Sequence, residues 1–231
     1  MKKISNISLY LSLRKNIRKI IFFIVIAFNS NVAFTSNDIP DFIKSLENKK
    51  LTQEELIPKG YIKSISAKGD LNGDGIEDVA MLIHEDNSKT PQYDLQQYVA
   101  IFMGDKEDKF SLWKVGSKHF INTTQNQMDE NGVMSFEIKK GVLAMATSYA
   151  MSMGGWSAGG CTQKWRNSKA GFQLIGITIQ DFDRKCACGK TRDVNLVTGR
   201  EVITVDEKKT NKKNKPQEIL WEAFDYDKNC R

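Results

Sequence analysis

The sequence contains very little histidine. Only His84 and His119 occur in 231 residues, and neither has a second His or a Cys at the spacing of a metal site. We therefore expect both to be ordinary surface or core residues. Both also precede Ser157, so the chain lacks the histidine that follows the nucleophile in an α/β-hydrolase. This scarcity argues against histidine metal sites and against serine catalysis of that class.

Acidic residues are absent from the start of the chain, where the first is Asp38. Lys and Arg residues there precede an apolar run, 20–28, that is too short to cross a bilayer. The pattern predicts a signal peptide at 1–36 and a single β-rich extracytoplasmic domain at 37–231. A retained anchor is the alternative, because no A-x-A cleavage site stands out at 29–36. No Cys lies near the apolar run, which argues against a lipid anchor.

The basic excess of the chain comes from this leader. The sequence has 34 basic and 28 acidic residues, and six of the basic ones lie before Ser36. Without the leader the two signs balance, so we expect no nucleic-acid partner. The remaining basic run, 208–215, is interpreted as a solvated loop. The expected location is the periplasm or the cell exterior.

All four cysteines lie in the last third of the chain, at Cys161, Cys186, Cys188 and Cys230. In an oxidising compartment an even count favours two disulfides. Three pairings exist, and the pairing of Cys186 with Cys188 is the least expected, because so short a ring strains the bridge. A four-thiolate zinc site is the alternative, with C-A-C in place of the usual C-x-x-C.

The apolar pattern predicts a mainly β protein with a short N-terminal helix. Apolar residues at helical spacing occupy 39–46, and beyond Pro58 the period changes to two. The connections are short, which favours an antiparallel meander or sandwich. No 20–50-residue period repeats, which argues against a full propeller. The expected strands are 61–66, 79–83, 98–103, 110–115, 134–138, 142–149, 162–166, 172–179, 202–205 and 219–224.

The most specific local pattern is the acidic segment Asp70–Asp78, which reads D-L-N-G-D-G-I-E-D. Its oxygens have the spacing of a calcium loop, and Gly75 stands where such a loop turns sharply. Position 12, where an EF-hand needs Glu, is Met81, so that calcium sensor is excluded. We expect a structural Ca²⁺ site. The expected ligands are Asp70, Asn72, Asp74, Ile76 through its carbonyl, and Asp78.

This segment resembles the calcium loop of the FG-GAP and VCBS families, which occurs in integrin-type propellers and in exported bacterial proteins. The resemblance implies a calcium site in an exported β protein and carries no established activity. Because the loop occurs once here, whereas a propeller repeats it, we expect no propeller. Four further segments resemble exported bacterial proteins that carry one such loop: Phe102–Asp105, Gly154–Trp156, Phe172–Gly176 and Asn195–Gly199.

The segment Gly155–Gly159 matches the nucleophile-elbow pattern G-x-S-x-G. An elbow needs a helix after the Ser, whereas 161–166 is predicted as strand. We interpret the segment as a glycine-rich corner. Met153, Trp156 and Ser157 form a candidate binding loop there, because apolar groups stand among flexible glycines.

Three functions follow from these patterns. The first is an exported, calcium-stabilised, non-enzymatic envelope protein that binds a protein or a cell-wall component. The second is a periplasmic hydrolase that uses Ser157. The third is a metal-free structural module, because Asn72-Gly73 and Asp74-Gly75 form good turns without an ion. Repulsion among the Asp side chains favours calcium. Membrane contact is expected only through an uncleaved leader.

Overall fold

Eleven strands account for most of the regular structure in the residues that this computed structural model describes. Those residues are 41–86, 97–117, 119, 132–150 and 156–230. The predicted signal peptide lies outside them, as does Met153.

The first sheet has four antiparallel strands in the order β1-β2-β3-β4. Each strand pairs with its neighbour in sequence, so this sheet is a meander. The strands are β1 (Tyr61–Gly69), β2 (Asp78–Glu85), β3 (Gln97–Gly104) and β4 (Phe110–Gly116).

The second sheet has seven antiparallel strands, again in sequence order. The prediction of a mainly β, antiparallel protein is confirmed, and no propeller occurs in the part of the chain described. The strands are β5 (Gly132–Lys139), β6 (Val142–Ala150), β7 (Ser157–Ser168), β8 (Gly171–Asp183), β9 (Cys188–Asn195), β10 (Arg200–Val205) and β11 (Lys208–Lys213).

Both faces of the four-stranded sheet are covered. In β2, Ala80 and Leu82 belong to the core shared with the seven-stranded sheet. Val79, Met81 and Ile83 belong to a second core on the opposite face. Since side chains alternate across a strand, a run of residues buried at every position needs cover on both sides. This explains the continuous apolar run of β2 at 79–83.

The cover on the outer face comes from the start of the domain. Helix α1 (Asp41–Leu46) contributes Ile43 and Leu46 to the outer core. A 3-10 turn at Gln53–Leu56 follows, and Leu56 is buried in the same core. The four-stranded sheet thus lies between this cover and the larger sheet.

Helix is scarce among the described residues, and α2 (Tyr226–Asn229) is only four residues long. The sequence pattern predicted a helix only at the start of the domain. This prediction missed α2, which lies near the C-terminus. None of the helices in the described ranges has the length and apolarity needed to span a membrane.

The sequence prediction was wrong at the C-terminal end of the sheet. Residues 219–224 were expected to be a strand, but they form one bridge at Leu220 and a 3-10 turn, Trp221–Ala223. The Trp221 indole N–H donates to the Val115 carbonyl at 2.8 Å, so contacts with the core, and not strand pairing, determine the conformation of this segment.

The basic run 208–215 was expected to be a loop, but it contains β11, whose side chains are all exposed.

Candidate functional site

The acidic segment is the loop between β1 and β2, and its shape depends on glycine. Gly73 and Gly75 have φ of +84° and +82°, a left-handed conformation that glycine adopts at little cost. The Asp70 carboxylate accepts the N–H groups of Gly73 at 2.6 Å and Gly75 at 2.9 Å. These N–H groups lower the pKa of Asp70 below its usual value. The turn is thus organised around an ionised carboxylate.

Asp78 anchors the loop to the core. It is fully buried at the first position of β2, and its carboxylate accepts the N–H of Leu71 at 2.8 Å and of Gly104 at 3.0 Å. Burial raises the pKa of Asp78, the two N–H groups oppose this, and the charges of Asp74 and Asp70 raise it further. The loop therefore places two carboxylates, Asp70 and Asp74, close enough to the buried Asp78 to disfavour its ionised form.

The donor atoms of the loop are of the kind that calcium binds. Carboxylate, amide and carbonyl oxygens are the ligands that Ca²⁺ prefers. Each oxygen has a second lone pair after accepting one N–H. However, no group of three or more His, Cys, Asp or Glu side chains in the described ranges is placed to hold a metal ion. Here Asp74 accepts the N–H of Ile76 at 2.8 Å, and Asn72 donates to Asp74 at 2.8 Å.

The disulfides join Cys161 to Cys230 and Cys186 to Cys188. The least expected pairing is therefore the one that forms. The β8–β9 turn brings the Cys186 and Cys188 Cα atoms to 5.2 Å, which a disulfide spans, with Ala187 at φ +53°. All four sulfurs are paired, so the zinc alternative gains no support.

Ser157 is the exposed first residue of β7 and pairs with Asp183 of β8. The strand prediction for 161–166 is confirmed, because β7 continues through these residues. A nucleophile elbow needs a helix at this point. The backbone after Ser157 therefore does not have the geometry of a hydrolase elbow.

Apolar side chains are exposed beside the β8–β9 turn. Trp156 is 57 % exposed, and Phe182 and Val205 are each 44 % exposed. Phe182, Cys188 and Val205 line one shallow depression of about 390 Å³. The Trp156 carbonyl accepts the backbone N–H of Arg184, within the turn, at 2.8 Å. We call Trp156, Phe182, Cys188 and Val205 the hairpin-tip surface.

From this surface, sequence reasoning assigned Trp156 to a binding loop and Cys188 to a disulfide. Phe182 and Val205 were assigned no role, because an apolar residue near a strand end is usually buried. The available signal was D-F-D-R-K-C-A-C at Asp181–Cys188, in which a lone aromatic residue stands among charged residues. Only the strand pairing shows that the C-A-C segment closes this turn.

No family model, curated protein or solved structure matches this chain. The function is therefore argued from the loop, the disulfides and the hairpin-tip surface.

Proposed function

We propose that this protein is an exported β protein, stabilised by calcium, that binds a polypeptide partner through the hairpin-tip surface. The observation that carries the calcium part of the proposal is the acidic loop. The half-buried Asp70 and the exposed Asp74 share a turn with the buried Asp78.

Calcium is supported by the electrostatics of the loop. Asp70 and Asp74 both raise the pKa of Asp78, which means that the three charges repel one another in the ionised state. A divalent cation would remove that repulsion. Because Asp78 holds the N–H groups of Leu71 and Gly104, an ion on the loop would stabilise the junction of β1, β2 and β3. The ion would therefore be structural.

Export is supported by the disulfides. Both cysteine pairs are joined, and disulfides persist mainly in oxidising compartments. This agrees with the signal peptide predicted at 1–36.

A polypeptide partner is supported by the chemistry of the hairpin-tip surface. Exposed aromatic side chains form the energetic centres of many protein interfaces. Trp156 and Phe182 are exposed next to one turn, and Asp181 and Lys190 line the depression together with Phe182. An apolar patch with a polar rim is the usual composition of a non-obligate protein interface.

The calcium site is tested by thermal melting of the oxidised protein with calcium and with EDTA. A ligand at ten times its Kd stabilises the native state by about 1.4 kcal/mol, which raises Tm by roughly 3–6 °C for a chain of this size. We expect this rise in the wild type and its loss in Asp74→Asn.

Asp105→Asn is the matched control. Asp105 also organises an exposed turn, through the N–H groups of Glu107 and Lys109, each at 3.0 Å, but it lies outside the loop. We expect this variant to keep the calcium response. No response of the wild type at 10 mM calcium would show that the loop is a metal-free turn.

The partner surface is tested by titrating the protein with an unfolded polypeptide whose cysteines are blocked. We expect Trp156→Ala/Phe182→Ala to bind at least about tenfold more weakly, because the few aromatic residues that dominate an interface contribute about 2 kcal/mol or more. Ile62→Ala and Val197→Ala remove other exposed apolar side chains, 43 % and 45 % exposed, and should bind normally. Equal loss in all variants would argue against a specific surface.

A further inference from the structure

We propose that Cys186–Cys188 is a redox-active disulfide that exchanges with the thiols of a polypeptide held on the hairpin-tip surface. The inference rests on the proposed polypeptide binding and adds a chemical reaction to it. It is independent of calcium.

Accessibility is the first argument. A thiolate must reach a sulfur atom to open a disulfide. Cys186 is exposed and Cys188 is half-buried, whereas Cys161 and Cys230 are 1 % and 6 % exposed. An incoming thiolate therefore reaches Cys186 in the folded protein and does not reach the other disulfide.

The small structural role of this disulfide is the second argument. Strands β8 and β9 already pair from Gly176↔Asn195 to Asp183↔Cys188, so backbone hydrogen bonds hold the hairpin. A disulfide across one intervening residue constrains the unfolded chain much less than one with a sequence separation of 69. Exposed disulfides with little structural role are typically the labile or catalytic ones.

The conformation of the turn is the third argument. Ala187, between the two cysteines, has φ +53°, a left-handed conformation that costs a residue with a Cβ free energy. Opening the disulfide would allow Ala187 to leave this conformation. Relief of this cost would add to the stability of the dithiol form.

The position of the apolar side chains is the fourth argument. Phe182 pairs with Gly189 across the hairpin, and a Cβ at Gly189 would lie 3.4 Å from the Phe182 ring. The ring thus lies across the residue next to Cys188. A polypeptide that packs on Phe182 and Trp156 would bring its own cysteines close to the disulfide.

The reaction transfers two electrons from substrate to protein. A substrate thiolate attacks the Cys186 sulfur, forming a substrate–Cys186 disulfide and releasing the Cys188 thiolate. A second substrate thiolate attacks the substrate sulfur of that mixed disulfide and releases the Cys186 thiolate. The two protons of the substrate thiols pass through water to Cys186 and Cys188. The substrate dithiol is oxidised to a disulfide, and the protein disulfide is reduced to a dithiol.

The first experiment incubates the folded full chain in glutathione redox buffers of decreasing potential, followed by acid quenching, alkylation and peptide mapping. We expect Cys186 and Cys188 to be alkylated while Cys161 and Cys230 remain joined and the near-ultraviolet circular dichroism is unchanged. Opening of both disulfides together, or of neither before the protein unfolds, would overturn the proposal.

The second experiment uses the single variants Cys188→Ser and Cys186→Ser with a peptide whose cysteine carries an activated disulfide. We expect the free Cys186 thiol to form the mixed disulfide at least about tenfold faster than the free Cys188 thiol, because access limits the exchange. Equal rates would contradict the assigned order of attack.

A third comparison separates this inference from the proposed function. Trp156→Ala/Phe182→Ala, in the Cys188→Ser background, should slow exchange with an apolar peptide and leave exchange with oxidised glutathione unchanged. Normal glutathione exchange without any preference for the peptide would support a labile disulfide and contradict the binding surface. Slow exchange with both reagents, despite intact binding of the blocked polypeptide, would contradict the redox role alone.

Discussion

Cys161 and Cys230 are joined inside the core, whereas Cys186 and Cys188 are joined at an exposed turn of the same sheet. The first pair connects the centre of β7 to the C-terminal segment, 217–230, which is otherwise held by backbone hydrogen bonds at Gln217 and Ile219 and by side-chain contacts. The second pair connects residues that the hairpin already holds together. Sequence separation and burial therefore determine how much each cross-link stabilises the fold.

The surroundings of the buried disulfide explain its structural role. The Thr147 hydroxyl lies 3.1 Å from the Cys161 carbonyl and 2.8 Å from the Tyr226 hydroxyl. Nearby, Trp165 and Trp221 pack edge to face at 4.9 Å between ring centroids. Tyr226 and Trp221 both belong to the C-terminal segment. The Cys161–Cys230 bond therefore keeps this segment packed on the aromatic residues of the core.

The largest expected effect is the loss of the buried disulfide. For Cys161→Ala/Cys230→Ala we expect unfolding free energy to fall by about 4 kcal/mol, because a loop of this length is no longer closed in the unfolded chain. Chemical denaturation followed by tryptophan fluorescence measures this change.

The exposed disulfide provides the matched control. For Cys186→Ala/Cys188→Ala we expect a loss of about 1 kcal/mol or less, because the closed loop is so short. Similar losses of unfolding free energy in the two double variants would contradict this contrast, because the disulfide at the turn would then stabilise the fold as much as the one in the core.

A smaller effect concerns acid, because the same aromatic core buries a histidine. His119 stacks on Trp221 at 3.6 Å between ring centroids and is 4 % exposed. Neither of its ring nitrogens has a hydrogen-bond partner. Burial lowers the pKa of His119 to about 3, and the Trp221 backbone opposes this only in part. The histidine therefore stays neutral in the folded protein at pH values where it would be charged in water.

The sign of the pH effect follows from this lowered pKa. An unfolded histidine titrates near 6.5, so below that pH the unfolded chain binds a proton that the folded chain does not. Stability is lost as pH falls. Between pH 7 and pH 5 we expect His119 to account for a loss of about 2 kcal/mol, measured as the difference between wild type and His119→Phe in denaturation at both pH values.

His84→Gln is the control for this measurement. His84 lies near the C-terminal end of β2, outside the aromatic core, and is only half-buried. Its replacement should leave the acid response unchanged. If His119→Phe loses as much stability in acid as the wild type, other groups cause the effect and the core histidine does not.

Much of the sheet was predictable from local pattern. Alternation in 142–149 and the apolar run 79–83 predicted β6 and β2, because the side chains on each face of a strand report what covers that face. Strand β9 was not predicted, because Cys188–Asn195 is polar along most of its length. Backbone pairing with β8 and β10 holds β9 in the sheet. This pairing does not require apolar residues to alternate along β9.

The candidate site was predictable in part for the same reason. The loop Asp70–Asp78 was identified because its turns depend on local spacing and on glycine, and Trp156 because an apolar residue stands among glycines. Phe182 and Val205 were not identified, because exposure depends on the strands that surround a residue.

The strand-rich class and the acidic loop follow from residues that are neighbours along the chain, and the even set of cysteines follows from composition. The folded structure was needed to show that Cys161 reaches Cys230, that His119 lies among aromatic rings without a hydrogen-bond partner, and that the Trp221 indole donates to Val115. These contacts join residues far apart in sequence. They form only when folding brings those residues together, so no local pattern in the sequence reports them.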